Sequence, residues 1–139
     1  MNDSMSNSTE ALENARKAFG NDIFATKTTG IVIDAVGDHY AKCSLVIEPK
    51  HLNAVGTVMG GAIFTLADFA FAVASNHAEM NTQSLTSQIT YLSVAKGTRL
   101  IAEANCVKSG RSTCFYNITV TDDTERLVAS ISTTGFIKR

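Results

Sequence analysis

The feature that most constrains this chain is residues 51–77, HLNAVGTVMGGAIFTLADFAFAVASNH. From position 58 to 73 a helical projection is apolar on nearly every side. A helix lying on a protein surface shows a single apolar stripe, so this one is expected to be mostly buried. Over positions 58–77 it would form a rod about 30 Å long. Asp68 lies near its middle, and a carboxylate in such a setting needs a partner, a hydrogen bond or a chemical role. Gly56, Gly60 and Gly61 crowd its start, where a helix presents backbone N–H groups that have no internal acceptor.

A chain of 139 residues suits one compact domain with a hydrophobic core. Lys and Arg number 12 against 13 Asp and Glu, for a net charge of −1. No basic block is present, which argues against nucleic-acid binding. Thr65 and Asp68 interrupt the most apolar run before it reaches membrane-spanning length. The start, MNDSMSNSTEALEN, lacks the positive residues and apolar core of a secretory signal, so a cytoplasmic location without membrane attachment is expected. Cys43, Cys106 and Cys114 are odd in number and have no metal-like spacing. They read as small apolar residues within strands. His39, His51 and His77 form no metal spacing either, and no metal or redox cofactor is expected. His77 is placed at the helix end, where a cation is favoured, and His51 on the surface near a pocket mouth.

Residues 1–8 are expected to be weakly ordered. Thr9 can cap a short helix reaching about residue 19, with Leu12, Ala15 and Phe19 on one side and Gly20 as the stop. Residues 1–28 thus read as an N-terminal segment and residues 29–139 as the main domain. From position 29 the periodicity becomes two. Strands are predicted over residues 29–36 and 39–48, the second ended by Pro49, the only proline. After the helix, strands are predicted over 85–94, 98–109, 112–121 and 126–137. The short links between them favour antiparallel neighbours. No regular strand–helix repeat and no glycine-rich nucleotide loop occurs, which argues against dinucleotide and P-loop folds. The fold class is therefore α+β, an antiparallel sheet wrapped around one long central helix. One sheet face does not cover so apolar a helix, which implies an oligomer, most simply a twofold dimer.

These residues resemble the PaaI-type acyl-CoA thioesterases of the hotdog-fold superfamily. The carrying pattern is Asn53-Ala-Val-Gly56-Thr-Val-Met59-Gly60-Gly61-Ala-Ile-Phe-Thr-Leu66-Ala-Asp68, joined by Lys108-Ser-Gly110-Arg111 and Leu127-Val128-Ala129. The similarity runs from about residue 29 to 137. It implies a hydrolase acting on acyl-CoA, in a homodimer with active sites at the interface and a dimer of dimers as the higher assembly. In that picture Gly60 and Asn53 of one subunit hold the thioester carbonyl and Asp68 of the other activates water or attacks. A strand hydroxyl, Thr86 or Ser87, joins them. Gly61 also belongs to the site, and coenzyme A is part of the substrate rather than a cofactor. The chain departs from the pattern at Met59, where relatives carry histidine; methionine cannot transfer a proton or donate a hydrogen bond.

Each of these residues has a plainer structural reading. Asp68 can be a carboxylate paired within an interface, or a general base or nucleophile held within reach of water or the carbonyl carbon. Gly60 and Gly61 can serve close packing, or place N–H donors and a helix dipole against a developing oxyanion. Asn53 can be a loop-capping residue or a contact to water or the carbonyl. Lys108 and Arg111 can be a solvated strand end or phosphate contacts for coenzyme A. Phe64 and Phe71 are assigned to an apolar acyl tunnel. The expected activity is hydrolysis of an acyl-CoA thioester. The rival readings are an acyl-CoA-binding or sensing module without turnover, a hydratase or dehydratase, and a purely structural oligomer.

Overall fold

The computed structural model of the chain describes residues 3–139. Two helices and six strands follow in the order α1 (Asp3–Phe19), β1 (Val32–Gly37), β2 (Tyr40–Val46), α2 (Gly60–Asn76), β3 (Thr82–Tyr91), β4 (Arg99–Ser109), β5 (Thr113–Asp122) and β6 (Leu127–Ile137). A wide helical turn, Phe24–Thr29, links α1 to β1, and a short 3-10 turn, Pro49–His51, precedes α2. All strands pair antiparallel in one sheet ordered β1-β2-β4-β5-β6-β3. Among the described residues no helix is long and apolar enough to cross a membrane.

The α+β architecture follows the hydrophobic patterning. Alternate residues of neighbouring strands line up across the sheet. Ile33, Cys43, Ala102, Val120 and Ala129 form one buried row that ends at Tyr91 on the β3 edge. Ala41, Ala104, Ile118 and Ile131 form the next. The small side chains let α2 approach closely through its own buried Ala67, Ala70 and Ala74. Where bulk is needed, Phe71 meets Tyr116 edge-on with ring centroids 5.2 Å apart, and Phe69 meets Phe19 of α1 at 5.9 Å. Phe71 is thereby a core residue between helix and sheet, with 2% of its surface exposed.

The sheet covers most of α2 but not all of it. Gly61, Thr65, Asp68, Ala72 and Ser75 follow a four-three-four-three spacing and stay partly or fully exposed, as one stripe of a 3.6-residue helix must. Strand β3 is a free edge, and most of its residues are exposed.

Three expectations are corrected. Helix α1 begins at Asp3, so Thr9 lies inside it and does not cap its start; residues 1 and 2 lie outside the described residues. Once Leu12, Ala15 and Phe19 dock, each added helical residue brings one more backbone bond without a new nucleation cost. Strand β3 runs three residues earlier than predicted. The Asn76 side chain starts it, accepting from Thr82 N at 2.7 Å and donating to Thr82 O at 3.1 Å. His51 is buried rather than on the surface. Its Nδ1 accepts from Glu48 N at 2.9 Å, so Nε2 carries the proton and donates to Thr29 O at 2.7 Å. His77 does cap α2, and its Nε2 donates to Gly37 O at 2.6 Å.

Gly135 permits the closest contact in this core. A Cβ there would lie 2.7 Å from Cys114 Sγ and 2.9 Å from Phe71 Cζ. Gly135→Ala should lower stability by about 1–3 kcal/mol through overpacking, measured as a lower urea midpoint with an unchanged slope.

Candidate active site

The start of α2 is built by the loop before it. Leu52 and Val58 bridge antiparallel, and Asn53 organises the turn between them. Asn53 Oδ1 accepts from Val55 N at 3.0 Å and Thr57 N at 3.1 Å, while Nδ2 donates to Thr57 Oγ1 at 2.9 Å. Gly56 takes the left-handed conformation this turn requires, with φ of 85°. The buried His51 anchors the other side, its carbonyl accepting from Met59 N at 2.8 Å. Asn53 is thus placed as the brace of the loop that delivers Gly60.

Met59 precedes the helix in extended geometry, φ −66° and ψ 137°, and supplies no side-chain cap. Its carbonyl accepts from Ala62 N at 3.0 Å and Ile63 N at 3.3 Å. The N–H groups of Gly60 and Gly61 have no acceptor among the described residues. They lie at the positive end of the α2 dipole, an arrangement suited to an oxygen gaining negative charge. Gly61 is exposed, and a Cβ on it would meet nothing within 4 Å. Gly60 is different. A Cβ there would lie 2.9 Å from both Cζ and the hydroxyl of Tyr91, whose hydroxyl donates to Gly60 O at 3.0 Å.

Asp68 lies on the uncovered stripe, half-buried, with no hydrogen-bond or ion-pair partner among the described residues. Burial raises its pKa above the ordinary carboxylate value, and the negative charge of Asp22 adds to the rise. Gly60 and Asp68 are eight residues apart on one helix, about 12 Å along the axis. A single carbonyl group cannot touch both within one chain. Phe64 sits half-buried between them.

Two grooves flank the helix start. One of about 390 Å³ is lined by Phe24, Lys50, Met59, Gly61 and Thr65, and one of about 360 Å³ by Val58, Gly60, Ile63, Tyr91 and Leu92. Phe71 reaches neither, because the sheet closes over its turn of α2. The β3 register places Thr86 opposite Thr134, on the face away from α2. Ser87 is on the helix side, its hydroxyl 2.9 Å from that of the buried Thr133. Lys108 and Arg111 are exposed near the β4–β5 turn, at the end of the sheet where Ser109 and Ser75 share a pocket. One chain therefore does not bring them to Gly60. Tyr91 and Phe24, which touch or flank the helix start, were not singled out from the sequence. No local spacing ties residue 24 or 91 to residue 60; only strand register and the turn at Phe24–Thr29 do.

An antiparallel six-stranded sheet curled around one long helix, with uncapped amides at the helix start and a lone carboxylate two turns on, defines a hotdog-fold protein of the thioesterase class. The Thioesterase superfamily profile matches residues 55–129. A provisionally named esterase of Archaeoglobus fulgidus is 41% identical over 91 residues, 65% of this chain. That match spans 59% of the archaeal protein's length. The acyl-coenzyme A thioesterase PaaI of Escherichia coli is 30% identical over 121 residues, 86% of each chain. The solved structure of E. coli PaaI superposes with a TM-score of 0.85, covering 95% of this chain and 96% of that one at 26% identity. A Streptococcus pneumoniae thioesterase-like protein solved with coenzyme A gives 0.80 at 26% identity, over 88% and 96% of the two chains. The chain belongs to the hotdog-fold thioesterase superfamily and is PaaI-like.

The raised pKa of Asp68 carries a stability consequence. The folded chain holds this proton more tightly than the unfolded chain does, so stability falls as pH rises from the ordinary carboxylate range, about 3.9, through the raised value. Asp68→Asn should therefore melt at a higher temperature than wild type at pH 7. The gain should shrink as pH falls through about 3.9 and vanish about one to two pH units below it, where both states carry the proton. Thermal melts at pH 7 and at that acid limit measure it.

Proposed function

We propose that this chain hydrolyses acyl-CoA thioesters, adding water across the C–S bond to release a carboxylic acid and coenzyme A. The observation that carries this reading is the pairing of two unsatisfied groups on one helix, the Gly60 and Gly61 amides and the Asp68 carboxylate. Their separation argues for sites shared between two copies. If the free β3 edges of two copies pair antiparallel about a twofold axis, the α2 helices run in opposite directions. The start of one then lies beside the middle of the other. The activity of the E. coli relative and the coenzyme A bound by the pneumococcal protein support the substrate class.

In this mechanism the thioester oxygen sits at the start of α2 and gains charge against the Gly60 and Gly61 N–H groups. Asp68 of the second copy either takes a proton from the attacking water or attacks the carbonyl itself, forming an anhydride that water then opens. Its raised pKa makes it the stronger base. The thiolate of coenzyme A leaves and is protonated. Asn53 braces the loop that carries the donors, Ser87 is the strand hydroxyl on the helix side, and Phe64 borders the acyl path. Lys108 and Arg111 of the second copy, at the far end of its sheet, are the phosphate contacts. A dimer of dimers is the proposed assembly.

Met59 favours one other reading. It is 56% exposed at the helix start and offers neither a proton nor a hydrogen bond where the resemblance implies histidine. A binding module without turnover is the result.

Release of free thiol from short, medium, long and aromatic acyl-CoAs separates the two. Wild type should turn over at least one of them, and Asp68→Asn should lose about 10²–10⁴-fold, as expected for removal of a general base. Tight binding without release by the folded protein establishes the module instead. The shared site has its own test. Subunits carrying Asp68→Asn are mixed with subunits carrying Gly60→Ala, each variant inactive alone. Random pairing of the two in a twofold dimer leaves one intact site in half of the dimers, so about a quarter of wild-type activity returns. Sites built within one chain recover none.

A further inference from the structure

We propose that Tyr91 is a positioning residue for thioester hydrolysis, acting through the peptide that joins Gly60 to Gly61. The inference rests on the oxyanion role given above to the start of α2, and it adds a residue that role does not require. Tyr91 is the last residue of β3 and ends the buried row that crosses the sheet through Ala129. Just past it, Leu92 N and Ser93 N both donate to Val128 O, at 2.8 and 3.2 Å, which holds the strand end in place. The ring is half exposed and borders the groove of about 360 Å³. Its hydroxyl donates to Gly60 O at 3.0 Å.

That carbonyl oxygen and the Gly61 N–H are the two ends of one planar amide. A donor on the oxygen draws electron density from the nitrogen and strengthens its N–H as a donor, since linked hydrogen bonds reinforce each other. The same bond fixes the plane, and so the direction in which Gly61 N–H points. The absence of a side chain at Gly60 belongs to this arrangement, because a Cβ would strike the Tyr91 ring and hydroxyl at 2.9 Å. Gly60 thus makes room for Tyr91 as well as for substrate.

Tyr91→Phe keeps the ring and removes only the hydroxyl. The kcat for thiol release should fall about tenfold, short of the ~10²–10³ lost with a direct oxyanion donor, while KM, inhibition by coenzyme A and melting temperature stay close to wild type. A second readout needs no turnover. With glycine labelled by 15N, the Gly61 amide proton should move upfield in Tyr91→Phe as its hydrogen-bonding power falls, while Gly135, remote in the core, stays in place. An unchanged kcat, or a raised KM with kcat intact, overturns the proposal; the latter makes Tyr91 a substrate contact. An unmoved Gly61 resonance also overturns it. If wild type releases no thiol from any acyl-CoA, the hydrolase reading falls, and the Gly61 resonance still decides whether Tyr91 governs that peptide.

Discussion

Everything in this molecule depends on how closely α2 can approach the concave face of the sheet. Ala67, Ala70 and Ala74 on the helix face sheet rows rich in alanine, at positions 41, 102, 104 and 129. Small residues on both sides bring the backbones together, and larger ones, Phe69, Phe71, Tyr116 and Ile118, fill the rest of the core. Interiors packed this way tolerate little change in volume. The rotation of α2 is therefore set by packing. Given that rotation, Gly60 falls beside Tyr91 and Asp68 falls on the uncovered side. The geometry of the site is a consequence of core packing several residues away from any reacting atom.

Polar satisfaction shows where the structure departs from its own rule. Among the described residues no buried side-chain nitrogen or oxygen lacks a partner. Asp122 shows how complete this can be. Burial opposes its charge, yet Thr124, Lys96 and Arg126 donate to it, and its pKa is held well below the carboxylate range. Asp68 is left without such donors, and Gly60 and Gly61 without a cap. A serine or aspartate at position 59 would accept from the Gly61 amide and steady the helix start by about 1 kcal/mol. Methionine leaves that amide open. Stability given up at a helix start and at one carboxylate is what a site needs if its donors are to meet a substrate rather than each other.

In the proposed mechanism Met59 leaves the chemistry to the backbone. With no imidazole at that position, carbonyl polarisation is assigned to amide N–H groups whose orientation depends on other residues. Asn53 sets the loop, His51 holds its base through Met59 N, and Tyr91 grips the first turn. Only Asn53 belongs to the motif stretch as a recognised element of the site. The other two act through neighbours, His51 from a buried position and Tyr91 from the end of β3.

The sequence by itself determined the elements and their class. Period-two alternation placed all six strands within about three residues of where they lie, and the all-round apolar stretch marked the central helix, because both signals are local. The glycines and Asp68 were legible for the same reason, since helix starts and buried charges are rare enough to stand out. Tertiary structure alone decided which side of a strand or helix each residue occupies. It sent Phe71 into the core, turned Thr86 away from α2 in favour of Ser87, buried His51 and carried Tyr91 to Gly60. These outcomes turn on register and rotation. A one-residue step in a strand reverses its face, and contacts between residues 31 apart in sequence leave no periodic trace in the chain.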